Sequence, residues 1–189
     1  MHPFSFSPMS PDRSSLHFGA LLAVAALILS AAPAAAQGSA AAREDRPLLG
    51  TGLSIVTDGG DTGIGVAIDF ARAIYSTSDV AVAPVGDFGW HSFDGFKSLT
   101  FMGGGRVTAG GGRFAPFGQF LIGSFRVSTS FCDDCSETRL VMTPGGGVDI
   151  AVHRKLNVRA QIDFLMIMFP DETTHARRFT FGVSLPFGG

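Results

Sequence analysis

The sequence contains little of what normally covers a water-facing protein surface. It has only two lysines (Lys97 and Lys155) and three glutamates in 189 residues, and charged residues make up 16% of the chain. A soluble domain usually has about 25% charged residues, and Lys and Glu are the ones that cover its exterior. The formal net charge is −2, which argues against nucleic acid as a partner, because that function needs a concentrated basic patch. The composition therefore does not favour a conventional soluble protein.

The chain also lacks an apolar run long enough for a membrane helix. Residues 20–29 form an apolar segment of ten, whereas a spanning helix needs about 20. Ala34 and Ala36 stand before Gln37 with the small-residue spacing of a signal peptidase site. We therefore predict that residues 1–36 are a cleaved signal peptide and that 37–48 form a flexible periplasmic leader. Residues 49–187 then form one domain. An N-terminal anchor helix is the less favoured alternative.

Alternation with period two is the dominant pattern from residue 49 onward. Successive side chains of a strand point to opposite faces, and eight segments separate large apolar residues from small or polar ones in this way. These segments are 49–57, 64–73, 80–91, 98–108, 114–128, 139–152, 156–166 and 177–187. Their length of about ten residues is typical of tilted membrane strands. The pattern predicts an all-β protein, with an eight-stranded antiparallel up-and-down transmembrane β-barrel as its architecture.

Three details of this pattern are less regular. Pro84 cannot donate a ladder hydrogen bond and suggests a bulge in the third segment. The fifth segment has large apolar residues on both faces, so its parity is open, and a bulge near Gly123 would explain the conflict. Connections after the third, fifth and seventh segments look longer than those after the second, fourth and sixth, as expected when both termini are periplasmic.

The composition of the polar face decides which face points inward. It consists mainly of Gly, Ala, Ser and Thr, which suit the crowded interior of an eight-stranded barrel, with a few charges of both signs. A soluble, lipocalin-like barrel that binds a hydrophobic ligand is the alternative, but its polar face would be rich in Lys and Glu. Since buried charges must pair, we predict a salt-bridged plug in the lumen, rather than a pore or proton path, formed by Asp69, Asp87, Arg106, Asp149, Arg159, Asp163 and Arg178.

Four stretches carry a family resemblance: 113–123 (RFAPFGQFLIG), 144–149 (PGGGVD), 158–164 (VRAQIDF) and the last segment, 177–187. They resemble the small outer-membrane β-barrel proteins similar to the OmpA transmembrane domain and OmpX. The resemblance implies location in a bacterial outer membrane, periplasmic chaperones and the outer-membrane assembly machinery during biogenesis, and lipopolysaccharide as a neighbour. It also implies a C-terminal assembly signal, which consists here of Phe179, Phe181, Val183, Leu185 and Phe187.

Cys132 and Cys135 are the only residues whose spacing suggests a redox or metal site. Two cysteines supply half of a structural zinc site, and no helix N-terminus is predicted beside them to support a redox motif. In an oxidising compartment a disulfide is favoured. No cofactor-binding or metal-binding motif is predicted.

Histidines in the connections raise a second function. A lipopolysaccharide acyl hydrolase or transferase of this fold could assemble a Ser, a His and an acid at the outer end, from His91, His175, Ser92, Asp94, Asp171 and Glu172. The spacing is not diagnostic, and fold alone does not give function. We favour a non-enzymatic protein with a structural or surface-interaction role, and the oligomeric state is open. Aromatic residues are expected at the two membrane interfaces, with Phe88, Trp90 and Phe179 at one and Tyr75 and Phe187 at the other.

Overall fold

The computed structural model describes residues 47–109, 113–129, 136–153, 155–170 and 172–187. The predicted signal peptide, most of the leader and the two cysteines lie outside these residues, so the cleavage site and the disulfide stay predictions. In the part of the chain that is described, no helix is long and apolar enough to cross a membrane.

Nine strands account for nearly all of the described residues. They are β1 (Leu48–Asp58), β2 (Asp61–Ala71), β3 (Tyr75–Ser76), β4 (Val80–Ser92), β5 (Phe96–Ala109), β6 (Phe114–Thr129), β7 (Ser136–His153), β8 (Leu156–Met168) and β9 (Thr173–Pro186).

The eight long strands form one closed antiparallel sheet. Each pairs with its neighbours in the chain, β2 pairs directly with β4, and β1 pairs with β9 from Leu48↔Pro186 to Thr57↔Arg177. The short β3 pairs with β4 in the connection that follows β2. Closure satisfies the backbone groups that an open edge would leave unpaired. The predicted eight-stranded antiparallel barrel is confirmed.

The two ends of the barrel differ in their connections. The end with Leu48 and Pro186 is called the terminal rim, and the opposite end is the distal rim. At the distal rim β1 and β2 are joined through Gly59 (φ 56°) and Gly60 (φ 144°), as a two-residue hairpin turn with positive φ requires. The next distal turn contains Gly95 (φ 86°), and Phe93 N–H donates to the carbonyl of Phe96 at 2.9 Å.

Two of the connections that were expected to be long are short. Only residues 93–95 separate β4 from β5, and 169–172 separate β8 from β9. Polar side chains at these strand ends suggested loops, but the backbone ladder continues through them, for example at Ser92↔Lys97. The connection after β2 was expected to be short, but it spans 72–79 and includes β3.

Neither predicted bulge is present, and the only register shift among the described strands lies between Ala151 and His153. The carbonyl oxygen of Pro84 accepts a hydrogen bond from Arg72 N–H at 3.4 Å. Because the carbonyl and the nitrogen of one residue point to the same neighbour in an antiparallel ladder, the nitrogen of Pro84 also faces the β2 side. This position lies beyond the last β2–β4 pair, Ala71↔Val85. The missing N–H of Pro84 therefore falls at the end of the β2–β4 ladder and causes no bulge. The parity of β6 is regular as well, with Leu121 fully buried inside and Ile122 exposed outside.

Glycines allow the barrel wall to pack closely at particular positions. A Cβ on Gly65 would collide with the carbonyl oxygen of Trp90 and approach His91 Cα to 2.7 Å, whereas a Cβ on Gly86 would meet nothing within 4 Å. The first glycine is therefore required by packing inside the barrel and the second is not.

We expect Gly65→Ala to lower the free energy of unfolding by about 1–3 kcal/mol through overpacking. Gly86→Ala, on the neighbouring strand β4, is the matched control and should be neutral or slightly stabilising. The measurement is urea unfolding in detergent micelles, followed by the fluorescence of Trp90. Equal losses in both variants would contradict the packing argument.

Candidate functional site

The outer surface of the barrel is apolar around its circumference. Large hydrophobic side chains alternate outward on every long strand, and the most exposed include Leu53 (69%), Phe101 (68%) and Phe181 (63%). The terminal-rim aromatics Tyr75 and Phe187 are exposed, and the Phe187 ring lies 5.9 Å from that of Phe70. Phe88 and Trp90 also face outward. Exposed apolar area of this extent is unusual for a water-soluble protein.

All seven side chains of the predicted lumen network point into the barrel. Arg159 on β8 is the first centre of the network. Its Nε and Nη2 donate to Asp149 at 2.7 Å each, and its Nη1 donates to both oxygens of Asp69 at 2.6 and 2.7 Å. Bidentate guanidinium–carboxylate pairs of this kind are among the strongest hydrogen bonds in proteins.

Arg106 on β5 joins the same group of charges. Its Nη2 lies 3.0 Å from Asp69 Oδ2, and it donates to Gln119 Oε1 from Nε and Nη2 at 3.1 and 2.7 Å. The Phe117 ring lies 4.4 Å from the guanidinium carbon of Arg106 and 5.0 Å from that of Arg159. An aromatic face attracts a cation, so the Phe117 ring stabilises two neighbouring guanidinium groups of like charge.

Arg178 on β9 is the second centre and is fully buried. It donates from Nη1 and Nη2 to Asp87 at 2.8 and 3.0 Å, and its Nε donates to Asp163 at 3.0 Å. Asp163 also accepts from Gln119 at 3.0 Å and from Gln161 at 2.7 Å. The amide of Gln119 therefore connects the two centres.

Three participants were missed by the sequence argument: Phe117, Gln119 and Gln161. Gln161 stands two residues from both Arg159 and Asp163, so alternation alone could have placed it inside. Phe117 and Gln119 depended on the parity of β6, which the sequence left open.

His91 is not at the distal surface as predicted but inside the barrel, where it is 1% exposed. Its Nε2 shares a hydrogen bond of 2.9 Å with Ser54 Oγ, and Thr180 donates to the same oxygen at 3.3 Å. Ser54 and His91 both pair with Gly65 in the register. Because Gly65 has no side chain, His91 reaches across β2 to Ser54.

This placement separates the residues proposed for a surface hydrolase. His175 and Ser92 are exposed outside, whereas His91 faces the interior, and Asp171 lies outside the described residues. The structure therefore does not bring His91 and His175 into one site. In the part of the chain that is described, no group of three His, Cys, Asp or Glu side chains could hold a metal ion.

A cluster of apolar side chains lies between the charges and the distal rim, beside buried polar side chains such as His91 and Thr143. The inward residues that follow Gln119 on β6 and Asp163 on β8 include Leu121, Phe125, Leu165 and Ile167, which are all large and apolar. They belong to a buried cluster that includes Met102, Leu121, Phe125, Val141, Leu165 and Ile167. The interior thus has a charged layer and, next to it, an apolar layer.

Solved structures with similar folds agree with this architecture. Neisserial surface protein A aligns with a TM-score of 0.60 and 15% identity over 75% of this chain and 96% of that protein. The outer membrane enzyme PagL aligns with 0.55 and 14% over 74% and 99%. The attachment invasion locus protein Ail of Yersinia pestis aligns with 0.52 and 13% over 75% and 97%. The chain has the fold of the small outer-membrane β-barrel proteins. No family model and no curated protein sequence matches the chain.

We expect Arg178→Met to destabilise the barrel by about 3–5 kcal/mol, because it leaves Asp87 and Asp163 as buried carboxylates without their cation. Adding Asp87→Asn and Asp163→Asn should recover most of the loss, since no buried charge then remains at this centre. The exposed Arg113→Met is the control. Urea midpoints of the folded band on unboiled gels provide the measurement, and a loss that the triple variant does not recover would contradict the pairing argument.

Proposed function

We propose that this protein is an integral outer-membrane β-barrel with a closed lumen and a structural or surface-interaction role. The observation that carries the proposal is the inverted polarity of the barrel, with paired charges inside and large apolar side chains outside. In lipid this arrangement is favourable, because the apolar side chains meet hydrocarbon and the closed ladder satisfies the backbone. The soluble lipocalin-like alternative requires the opposite arrangement, since its apolar face would line the ligand cavity.

Export and assembly complete this proposal. Residues 1–36 would direct export and be cleaved after Ala36. The apolar alternation of Phe179, Phe181, Val183, Leu185 and Phe187 on β9 would then be read by the assembly machinery, after chaperones have carried the chain through the periplasm. The distal rim would face the outside, with lipopolysaccharide around it.

A lipid-modifying enzyme is the weaker candidate. It is motivated by the fold, which PagL shares, but fold alone does not give an activity. The separation of His91 from His175 removes the residue set that the sequence suggested, so we propose a non-enzymatic role.

We expect the protein to fractionate with the outer membrane and to migrate faster on gels before boiling than after boiling, because the closed barrel stays compact in detergent. Its mass should correspond to a chain that begins at Gln37. Recovery from the periplasmic supernatant with no heat-dependent shift would contradict the membrane barrel. An intact mass that includes residues 1–36 would contradict cleavage only.

We also expect no single-channel steps when the folded protein is inserted into planar bilayers, because the charged and apolar layers both close the interior. Flotation of the same preparation with vesicles is the control for insertion. Stable ohmic steps from a preparation that floats would show that the lumen is open and would overturn the closed-lumen proposal.

A further inference from the structure

The charged residues of the strands are sorted between the two faces of the barrel wall. By alternation, every acidic residue in the described strands faces inward, namely Asp58, Asp61, Asp69, Asp87, Glu137, Asp149 and Asp163. Basic residues occur on both faces, and those that face outward near the distal rim include Lys97, Arg126 and Arg177. Asp61 and Glu137 are exposed at this rim, and Glu137 is paired with Arg139. The outer face of the described strands therefore carries cations near this rim and no carboxylate of its own.

The outward cations lie at the height where an apolar membrane layer would end. Arg126 is twelve residues after the terminal-rim residue Phe114 on the same strand. With a rise of about 3.3 Å per residue and a tilt of about 40°, this places Arg126 about 30 Å from Phe114 along the barrel axis. An apolar band of this fold is about 25 Å tall, so Arg126 is positioned among headgroups.

Lys97 and Arg126 form the densest part of this surface. Leu99 pairs with Arg126 and Lys97 with Ser128, so the two cations are diagonal neighbours on one face, about 7–8 Å apart at Cα. Arg126 Nη2 donates to Ser136 Oγ at 3.0 Å, which fixes the direction of the guanidinium. Ser128 and Thr138 add hydroxyl groups on the same face. We call Lys97, Arg126, Ser128, Ser136 and Thr138 the distal basic patch.

Apolar residues lie directly below the distal basic patch. Leu99, Ile122 and Leu140 are all exposed on the same face of β5, β6 and β7. A ligand bound to the cations would therefore have its remainder alongside apolar side chains. This combination fits an amphiphile with an anionic headgroup, and it does not fit a free anion or an extended polar peptide.

We propose that the distal basic patch binds a phosphate group on the headgroup of a lipid in the outer leaflet. The proposal rests on the membrane-barrel function above and names a specific contact within it. A phosphate has several acceptor oxygens, and the Arg126 guanidinium can donate to two of them while Lys97 contacts the group as a point charge. The acyl chains then lie against Leu99, Ile122 and Leu140.

The experiment uses the folded full-length protein in detergent, titrated with diphosphorylated lipid A and observed by native mass spectrometry. Lys97→Gln with Arg126→Gln removes the patch cations. The matched control is Arg113→Gln with Lys155→Gln, which removes the same charge from exposed positions at the terminal rim. Each basic residue near an anionic headgroup contributes about fivefold to affinity, so we expect about 25-fold weaker binding for the patch variant and no change for the control.

Lipid A without its phosphates and inorganic phosphate are the two further probes. We expect the dephosphorylated lipid to bind the wild-type protein as weakly as the phosphorylated lipid binds the patch variant, and inorganic phosphate not to displace the lipid. Equal binding by the two double variants, or full-strength binding of the dephosphorylated lipid, would overturn the proposal. Displacement by inorganic phosphate would also overturn it, in favour of a simple anion site. The heat-dependent gel shift of each variant is recorded first, so failure of the barrel itself is recognised before any lipid is added.

Discussion

Contacts between strands that are not neighbours in the sheet hold the interior of the barrel together. Arg159 on β8 binds Asp69 on β2, and Arg178 on β9 binds Asp87 on β4, over sequence separations of 90 and 91 residues. Neither pair of strands shares a backbone ladder, so these side chains restrain the cross-section where hydrogen bonds between neighbouring strands cannot. In a medium of low dielectric constant such pairs are stable only when each charge meets its partner with good geometry. The small residues around them leave the space that the guanidinium groups need.

The alternation of the sequence was sufficient to predict the eight strands and to place seven charged residues inside. It could not predict which arginine binds which aspartate, because that depends on strand tilt and register, which the side-chain pattern does not contain. His91 shows the same limit, since it was placed at the end of its strand, beside the outer connection, although it continues the inward series of β4. The bulge predicted near Gly123 failed for a different reason. Apolar residues on both faces of β6 were taken as a break in parity, whereas one face meets the apolar layer of the interior and the other faces outward.

The two layers of the interior meet the requirements of charge pairing and packing, so the composition of the outer face does not depend on them. Charges and amides satisfy one another between the terminal rim and the middle of the barrel, and a cluster of apolar side chains packs on their distal side. The outer wall is then free to be apolar in the middle and basic near the distal rim. The described distal turns are short, so the distal surface in these regions consists of strand ends rather than long loops.

The pairing of β1 with β9 has a consequence for how the chain reaches this structure. The strand that starts the barrel obtains one of its two ladders from the strand that ends it, and the paired residues are 120 to 138 positions apart in the chain. Contacts of such long range are slow to form, because the loop-closure entropy must be overcome before they contribute. A chain of which only part has folded into the sheet therefore has open edges and an exposed apolar face, and these features promote aggregation.

The same adjacency of β1 and β9 places both ends of the domain side by side at the terminal rim. A circularly permuted protein, with these ends joined by a short linker and new termini at Gly59–Gly60, should consequently form the same barrel with a different order of strands.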